Sequence, residues 1–265
     1  MAVVGVTFNL KGDPLEDGEP PDSNAELDSE STVNAIAEAL RAYGHHPVLI
    51  EADESAYRKI RQRRLDIVFN LAEGIRGESR ESHIPAMLEM LGIPYTGSGV
   101  LTLALTLDKP LTKKVLAHHG IPTPRFKVFA SEKEVDARGL SFPVFVKPAH
   151  EGSSMGISPS CHCENVRELR EEVRRLVSLY HQPVLVEDFL PGREFTVAIL
   201  GNRCPVIFPV MEINFDAVPQ EHGRIYSRQF KTDWSDDVYY LCPAPISPGL
   251  EAQVKETALK TYRVL

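Results

Sequence analysis

The sequence predicts a two-domain protein that combines the α/β and α+β classes, and three observations support this. The chain has 265 residues, of which 43% are hydrophobic and 25% charged, values that are ordinary for globular domains. At roughly 150 residues per domain, this length suits two domains. In the N-terminal part, short apolar segments alternate with segments of helical spacing, which is typical of a parallel α/β unit.

The first domain is expected over residues 1–105, because apolar periodicity defines its elements in order. An apolar run rich in β-branched residues at positions 2–8 is typical of a buried parallel strand. An acidic loop containing three prolines follows over 11–31, and helical spacing then runs from Thr32 to Tyr43 and ends at Gly44. The further elements expected here are strands at 47–50 and 66–70 and helices at 57–64, 83–91 and 101–119. The basic side chains of 57–64 are interpreted as a solvated helix face, since no aromatic or glycine element accompanies them.

The rest of the chain is expected to be of the α+β type and to include a small domain that carries a loop rich in glycine and serine. Its predicted strands lie at 142–147, 183–187 and 194–200, and its predicted helices at 164–180 and 249–265. Trp234, with Tyr239 and Tyr240, is expected in the core or in a pocket wall.

Composition and charge exclude several classes of protein. The net charge of −8 argues against a nucleic-acid-binding protein with a basic face. No apolar run reaches the ~18–20 residues of a membrane span, and the N-terminus has no basic signal-peptide region. The four cysteines do not form a disulfide framework, and Cys161 and Cys163 are spaced too closely for a typical metal site. We therefore expect a cytoplasmic protein without nucleic-acid or membrane partners.

The strongest local signal lies at residues 147–157, where a lysine ends an apolar strand and a loop follows. Glycines let backbone N–H groups converge on an anion, and serine hydroxyls add donors. Lys147 would supply a compact positive charge for phosphate oxygens. The spacing matches neither the P-loop nor the dinucleotide fingerprint. The segment thus predicts an anion site, and a plain surface turn is the alternative.

A second signal lies at residues 184–197, where a strand ending in Glu187 meets an apolar turn and Glu194 begins the next strand. An apolar hinge with available backbone groups suits a purine ring, and a nearby carboxylate can accept hydrogen bonds from ribose hydroxyls. A hairpin with two surface acids fits these residues equally well.

Taken together, eight segments occur in an order that resembles the D-alanine–D-alanine ligase family of the ATP-grasp superfamily. They are DIVFN at 66–70, GIRGE at 74–78, GIPYTGSG at 92–99, ALTLDK at 104–109, GIPTP at 120–124, VKP at 146–148, EGSSMG at 151–156 and the segment 187–197. The likeness is close from Asp66 to Leu200, weaker before it and patchy after 205. It implies an ATP-grasp fold with a Rossmann-like domain (1–105), a central ATP-grasp subdomain (106–190) and an incomplete C-terminal lobe (191–265).

The resemblance also implies roles for individual residues. Lys109, Lys147 and Lys231 correspond to lysines that hold nucleotide phosphates, and Ser153 to a serine that orients the reacting amino acids. The loop that closes over the triphosphate corresponds to Glu151, Gly152, Ser153, Ser154, Met155 and Gly156. The adenine hinge corresponds to Glu187, Phe189 and Leu190, and the ribose carboxylate to Glu194.

The family joins a carboxylate to an amine through an acyl phosphate, with ADP and phosphate as products. The implied cofactors are ATP and Mg²⁺, and the implied substrates are amino acids or small peptides, with D-alanine the best single guess. Dimers are common in the family, so a homodimer is expected.

Three departures from the family pattern bear on these expectations. Where the family has a tyrosine after the lysine that corresponds to Lys231, this sequence has Thr232. This difference argues against assuming dialanine specificity and permits a ligase for other amino acids. The substrate-ammonium glutamate corresponds to Glu30 or to Glu26, with Glu30 preferred, and the alternative for either is a solvated loop charge.

The third departure concerns the metal. The family's magnesium ligands are expected beyond residue 265, and Glu212-Ile-Asn214 is interpreted as a decoy. A nucleotide-binding module without catalysis is therefore the alternative of a different class.

Overall fold

The computed structural model describes residues 1–12, 18–217, 224–233 and 239–265. The chain divides into two compact units, Met1–Asp108 and Lys109–Leu265. In the described part of the chain, no helix has the length and apolarity needed to cross a membrane.

The first unit contains a three-stranded parallel sheet with helices, as the alternating apolar segments predict. Strand β1 (Val3–Phe8) is central and pairs with β2 (His46–Glu51) on one side and β3 (Ile67–Asn70) on the other. Its helices are α1 (Glu30–Ala42), α2 (Ala56–Arg61), α3 (His83–Leu91) and α4 (Val100–Leu107). Residues of β1 with Val33 of α1 form one core cluster, and residues of β2, α2 and α3 form another.

The second unit is built on a four-stranded antiparallel sheet in the order β4-β7-β5-β6. These strands are β4 (Phe126–Phe129), β5 (Val144–Pro148), β6 (His162–Cys163) and β7 (Val184–Asp188), and two helices of this unit are α5 (Lys109–His118) and α6 (Val166–Tyr180). Asn165 caps α6, since its side chain accepts hydrogen bonds from the backbone N–H groups of Arg167 and Glu168. The apolar residues Leu169, Val173 and Leu176 recur at helical spacing and are fully buried.

The C-terminal part of this unit consists of short antiparallel strands and two helices. A three-stranded sheet has the order β12-β11-β8, and a two-stranded ribbon pairs β9 with β10. The elements are β8 (Glu194–Thr196), β9 (Ile199–Leu200), β10 (Val206–Ile207), β11 (Met211–Ile213), β12 (Tyr240–Leu241), α7 (Arg228–Asp233) and α8 (Pro248–Val264).

Two predicted elements are wrong in their continuity. The helix expected over 101–119 is two helices, because Asp108 leaves the helical conformation (φ −82°, ψ 90°) and Pro110 provides no N–H donor. The N–H of Lys109 instead donates to the carbonyl of Ala149 at 3.1 Å. The strand expected over 194–200 is divided into β8 and β9, which pair with different strands.

The aromatic cluster predicted around Trp234 is described only in part. Tyr239 and Tyr240 pack against the buried Phe230, in agreement with a core position. Trp234 itself lies outside the described residues.

Candidate functional site

A cavity of about 670 Å³ lies in the second unit, where the loop after β5 faces the segment after β7. Its volume falls in the range of small-molecule and cofactor sites. Eleven of the residues named above as candidate nucleotide contacts line it: Lys109, Lys147, Glu151, Gly152, Ser153, Ser154, Met155, Glu187, Phe189, Leu190 and Glu194. Gly156 and Lys231 do not line the cavity.

Strand β5 places Lys147 in the cavity wall through simple alternation. Val144 and Val146 are fully buried on one face of the strand, whereas Phe145 and Lys147 line the cavity on the other. The Lys147 ammonium lies 2.5 Å from Oε1 of Glu187, at the end of the neighbouring strand β7. The two strands thus bring a cation and an anion together at the wall of the cavity.

The carboxylate of Glu187 contacts two lysines. Its Oε2 atom lies 2.6 Å from the ammonium of Lys113 on α5, while Oε1 contacts Lys147. Burial alone would raise the pKa of Glu187, but the two lysines outweigh it and hold this pKa below its usual value. The group is therefore an anion in the folded protein.

The loop after β5 has a strained backbone at its centre and is held at its first residue. Ser153 and Ser154 have positive φ angles of 43° and 60°, a conformation that costs non-glycine residues energy. The side chain of Glu151 accepts a hydrogen bond from Gln182 at 2.6 Å, and its carbonyl accepts one from the ammonium of Lys109. The Oγ of Ser154 donates to the carbonyl of Tyr226 at 2.9 Å. The exposed Ser153 thus lies between fixed neighbours.

The other end of the loop is held by helix α6. The carbonyl of Gly156 accepts hydrogen bonds from Arg175 and from the thiol of Cys161, each at 3.2 Å. Both donors also contact the buried carboxylate of Glu172. Burial, and then the charge of Glu172, raises the pKa of Cys161 to about 12, so this thiol is a neutral donor.

The segment after β7 forms an apolar wall with an available backbone. The ring of Phe189 lies 4.5 Å from His162 and 6.3 Å from Phe145, measured between centroids. The N–H of Phe189 donates to Pro143, which fixes the segment. Leu190 is 66% exposed, and its backbone groups have no hydrogen-bond partner in the part of the chain that the structure describes.

Lys231 does not line the cavity but contacts a residue that does. Its ammonium stands 4.9 Å from the ring centroid of Tyr226, which does line the cavity. Glu194 is an exposed residue, but the surrounding protein partly desolvates its carboxyl group and so raises its pKa. The positive charges of Lys147 and Lys231 offset part of this rise in pKa. Lys231 is thus near enough to influence the charge of a residue that lines the cavity.

The Glu-x-Asn sequence at 212–214 is engaged within the protein. Glu212 is buried and forms a bidentate ion pair with Arg193, with distances of 2.6 and 2.5 Å. Its interpretation as a decoy for a metal motif stays a prediction. Within 1–12, 18–217, 224–233 and 239–265, no three His, Cys, Asp or Glu side chains are placed to hold a metal ion.

The two acids considered for the substrate ammonium lie in the first unit and differ in their surroundings. Glu30 is exposed in the first turn of α1, a common position for an acid because of the helix dipole. The side chain of Glu26 is only 6% exposed and lies 2.7 Å from Arg80. The assignment of either acid to the substrate stays a prediction.

Sequence reasoning missed several residues of the site, including Lys113, Phe145 and Arg224. Two of them had a usable signal. Lys113 follows Lys109 by four residues and therefore shares its helix face, and Phe145 precedes Lys147 by two residues and shares its strand face. Arg224, which pairs with Asp216 at 2.6 Å, had none.

The fold with this cavity defines the class of protein, an ATP-grasp enzyme. The crystal structure of D-alanine–D-alanine ligase from Bacillus anthracis complexed with ATP superposes with a TM-score of 0.71 at 20% identity, covering 100% of this chain and 78% of that one. The family profile described as D-ala D-ala ligase C-terminus matches residues 115–265.

Curated relatives agree with this profile. The D-alanine–D-alanine ligases of Desulforudis audaxviator and Bordetella avium are 34% and 36% identical, each over 87% of this chain and over 73% and 69% of their own lengths. An uncharacterized protein of Sinorhizobium fredii is 34% identical over 87% of this chain and 69% of its own. The chain belongs to the D-alanine–D-alanine ligase family.

Proposed function

We propose that the chain is an ATP-dependent ligase that joins the carboxylate of one amino acid to the amine of another, with the cavity of the second unit as its nucleotide site. One observation carries the proposal. The two lysines, the donor-rich loop and the apolar hinge, which are far apart in sequence, line a single cavity.

The proposed roles follow from the chemistry of each wall. The purine lies against Phe189 and uses the backbone of Leu190, while Glu194 accepts hydrogen bonds from the ribose hydroxyls. Lys109, Lys147 and the loop from Glu151 to Gly156 surround the phosphates. Positioning and cationic stabilisation suit phosphoryl transfer, because its transition state is loosely bonded and the negative charge is spread over the phosphoryl oxygens.

The reaction proceeds in two steps in this proposal. A carboxylate oxygen attacks the γ-phosphorus of ATP, which gives an acyl phosphate and releases ADP. The free amine of the second substrate then attacks the acyl carbon, and phosphate leaves with that carboxylate oxygen as the amide forms and the nitrogen loses a proton. Ser153, at the exposed centre of the loop, orients the reacting groups, and Lys231 supports the phosphates from behind Tyr226.

D-alanine is the proposed substrate, and it rests on the named relatives and the matched motifs. Because Thr232 stands where the family has tyrosine, other amino acids should be tested as substrates in addition to D-alanine. Glu30, with Glu26 as the alternative, is proposed to contact the substrate ammonium.

Mg²⁺ accompanies ATP in the family, but the described side chains do not supply a ligand set for it. Glu212, the acid of the one Glu-x-Asn sequence present, is already paired with Arg193. We assign no step to a metal held by these residues. A cytoplasmic homodimer is proposed from the family resemblance, and light scattering coupled to gel filtration measures its mass.

The test is phosphate release from ATP and Mg²⁺ with a panel of D- and L-amino acids. Lys147→Ala is expected to lower the amino-acid-dependent rate by about a hundredfold or more, because a cation is lost from the phosphates. Lys133→Ala is the matched control, since Lys133 is an exposed lysine of the same unit.

The proposal is sustained if one amino acid stimulates release and the stimulation disappears only in the Lys147 variant. It is overturned if no amino acid stimulates release, or if the Lys147 variant matches the Lys133 control. Circular dichroism of each variant confirms that it is folded.

A further inference from the structure

We propose that Lys113 is a positioning residue that neutralises Glu187, so that Lys147 can leave this carboxylate for a nucleotide phosphate. The inference deepens the proposed function and rests on it. Lys113 is assigned no direct contact with the nucleotide, because it does not line the cavity.

Lys113 is buried, and its contacts stabilise the positive charge of its ammonium. Its side chain is 9% exposed, and its ammonium lies 2.6 Å from Oε2 of Glu187 and 2.6 Å from Oγ1 of Thr123. The ring of Phe126 lies 5.2 Å away and contributes a cation–π contact. Lysine is rarely buried this deeply unless it is paired. The structure therefore holds Lys113 in one place.

Lys147 differs from Lys113 in its access to the cavity. Its side chain is 26% exposed and lines the cavity, while its ammonium contacts Oε1 of the same carboxylate. A phosphate that enters the cavity competes with Glu187 for this ammonium. The two lysines therefore share one acid, but only Lys147 can reach the ligand.

Lys113 decides the outcome of this competition. If Lys147 were the only partner of Glu187, its departure would leave a buried carboxylate without a counter-ion, which is strongly unfavourable. With Lys113 fixed on Oε2, the carboxylate keeps a partner when Lys147 turns to the phosphate. The three groups also carry one net positive charge, whereas Lys147 and Glu187 alone would carry none.

The first test measures the reactivity of Lys147 without nucleotide. Reductive methylation of the folded chain, quantified by mass spectrometry of the peptide containing Lys147, reports how accessible its amine is to the reagent. Lys113→Met is expected to slow this labelling by about fivefold, because Glu187 then pairs with Lys147 alone and holds its ammonium more firmly in the ion pair. Lys114→Met, the exposed neighbour on α5, is the matched control and is expected to label like wild type.

The second test measures the dissociation constant of ATP by calorimetry. Lys113→Met is expected to weaken ATP binding by about tenfold, while Lys114→Met leaves it unchanged. Lys113→Arg keeps a cation beside Glu187, so it should bind ATP within about threefold of wild type. A merely structural role for Lys113 predicts instead that arginine, which matches the shape of lysine less well than methionine does, weakens binding at least as much as methionine. If Lys113→Met fails to fold, Lys113→Gln takes its place with the same expected loss.

The two tests separate the two proposals. The inference is overturned if Lys147 labels at the wild-type rate in Lys113→Met, or if Lys113→Arg binds ATP tenfold more weakly than wild type. Failure of the wild type to bind ATP overturns the proposed function, and the labelling result then still decides the effect of Lys113 on Lys147.

Discussion

Gly156→Ala tests the packing at the end of the loop. Gly156 has a φ angle of +78°, in the region that side chains other than glycine rarely adopt. A Cβ atom there would lie 2.8 Å from Cγ of Pro148, 3.0 Å from Cε2 of Tyr180 and 3.1 Å from Cδ2 of Leu176. Leu176 and Tyr180 belong to the buried face of α6 and Pro148 ends β5, so these three neighbours cannot move without disturbing the core.

The expected loss of stability has two parts. The left-handed conformation costs alanine about 1–2 kcal/mol. Overpacking against three neighbours costs about 1–3 kcal/mol more. We therefore expect the free energy of unfolding of the second unit to fall by about 2–5 kcal/mol.

Gly139→Ala provides the matched control. Gly139 lies in the same unit with a φ angle of +83°, but nothing lies within 4 Å of its added Cβ. This variant should lose only the conformational part, about 1–2 kcal/mol. Urea unfolding followed by the fluorescence of Trp234, the only tryptophan and a residue of the second unit, measures both variants. Equal losses in the two variants would refute the packing argument.

The remaining predictions concern charge, capping and thiol reactivity. Burial, and then the charge of Glu26, raises the pKa of Glu73 to about 7 from an ordinary 4.5, so the folded chain holds this proton more tightly than the unfolded chain. The penalty is absent below the unfolded value and complete above pH 7, so Glu73→Gln should stabilise the first unit by about 1 kcal/mol at pH 8 and not at pH 4. Urea unfolding followed by circular dichroism measures this, and an equal effect at both pH values contradicts it. Asn165→Ala should cost the second unit about 0.5–2 kcal/mol through the lost cap of α6, and an unchanged urea midpoint contradicts the cap. Cys204 and Cys242 are exposed, whereas Cys161 and Cys163 are buried. Alkylation of the folded protein with iodoacetamide, measured by mass spectrometry, should therefore modify the exposed pair and spare the buried pair. Rapid modification of the buried pair would contradict its burial.

Local periodicity was sufficient where an element depends on its own residues. Helix α3 begins at His83 and ends at Leu91, as its apolar spacing and the following glycine predict. The apolar spacing continues across the break at Asp108 and so hides it, and Pro110 is the local signal that indicates it. The N–H of Lys109 bonds the carbonyl of Ala149, forty residues later in the chain, and only the tertiary structure reveals this contact.

In the candidate site, too, the local sequence predicts some features, whereas others depend on contacts between distant residues. The loop after β5 and the segment after β7 could be predicted, since each carries its chemistry in a short run of residues. The contact of Lys113 with Glu187 could not, because α5 and β7 are separated in sequence and a lysine on a helix usually faces water. The partner of Glu212 was hidden for the same reason, as Arg193 reaches it from a neighbouring segment.

The most direct test of the central claim follows an oxygen atom. The wild-type chain is incubated with ATP, Mg²⁺ and the stimulating amino acid, whose two carboxylate oxygens are ¹⁸O, and the released phosphate is analysed by mass spectrometry. Activation of the carboxylate as an acyl phosphate predicts one ¹⁸O atom in each phosphate released, because the bridging oxygen leaves with phosphorus. Phosphate that carries no ¹⁸O would show that water attacks ATP, which contradicts a ligase reaction in this cavity.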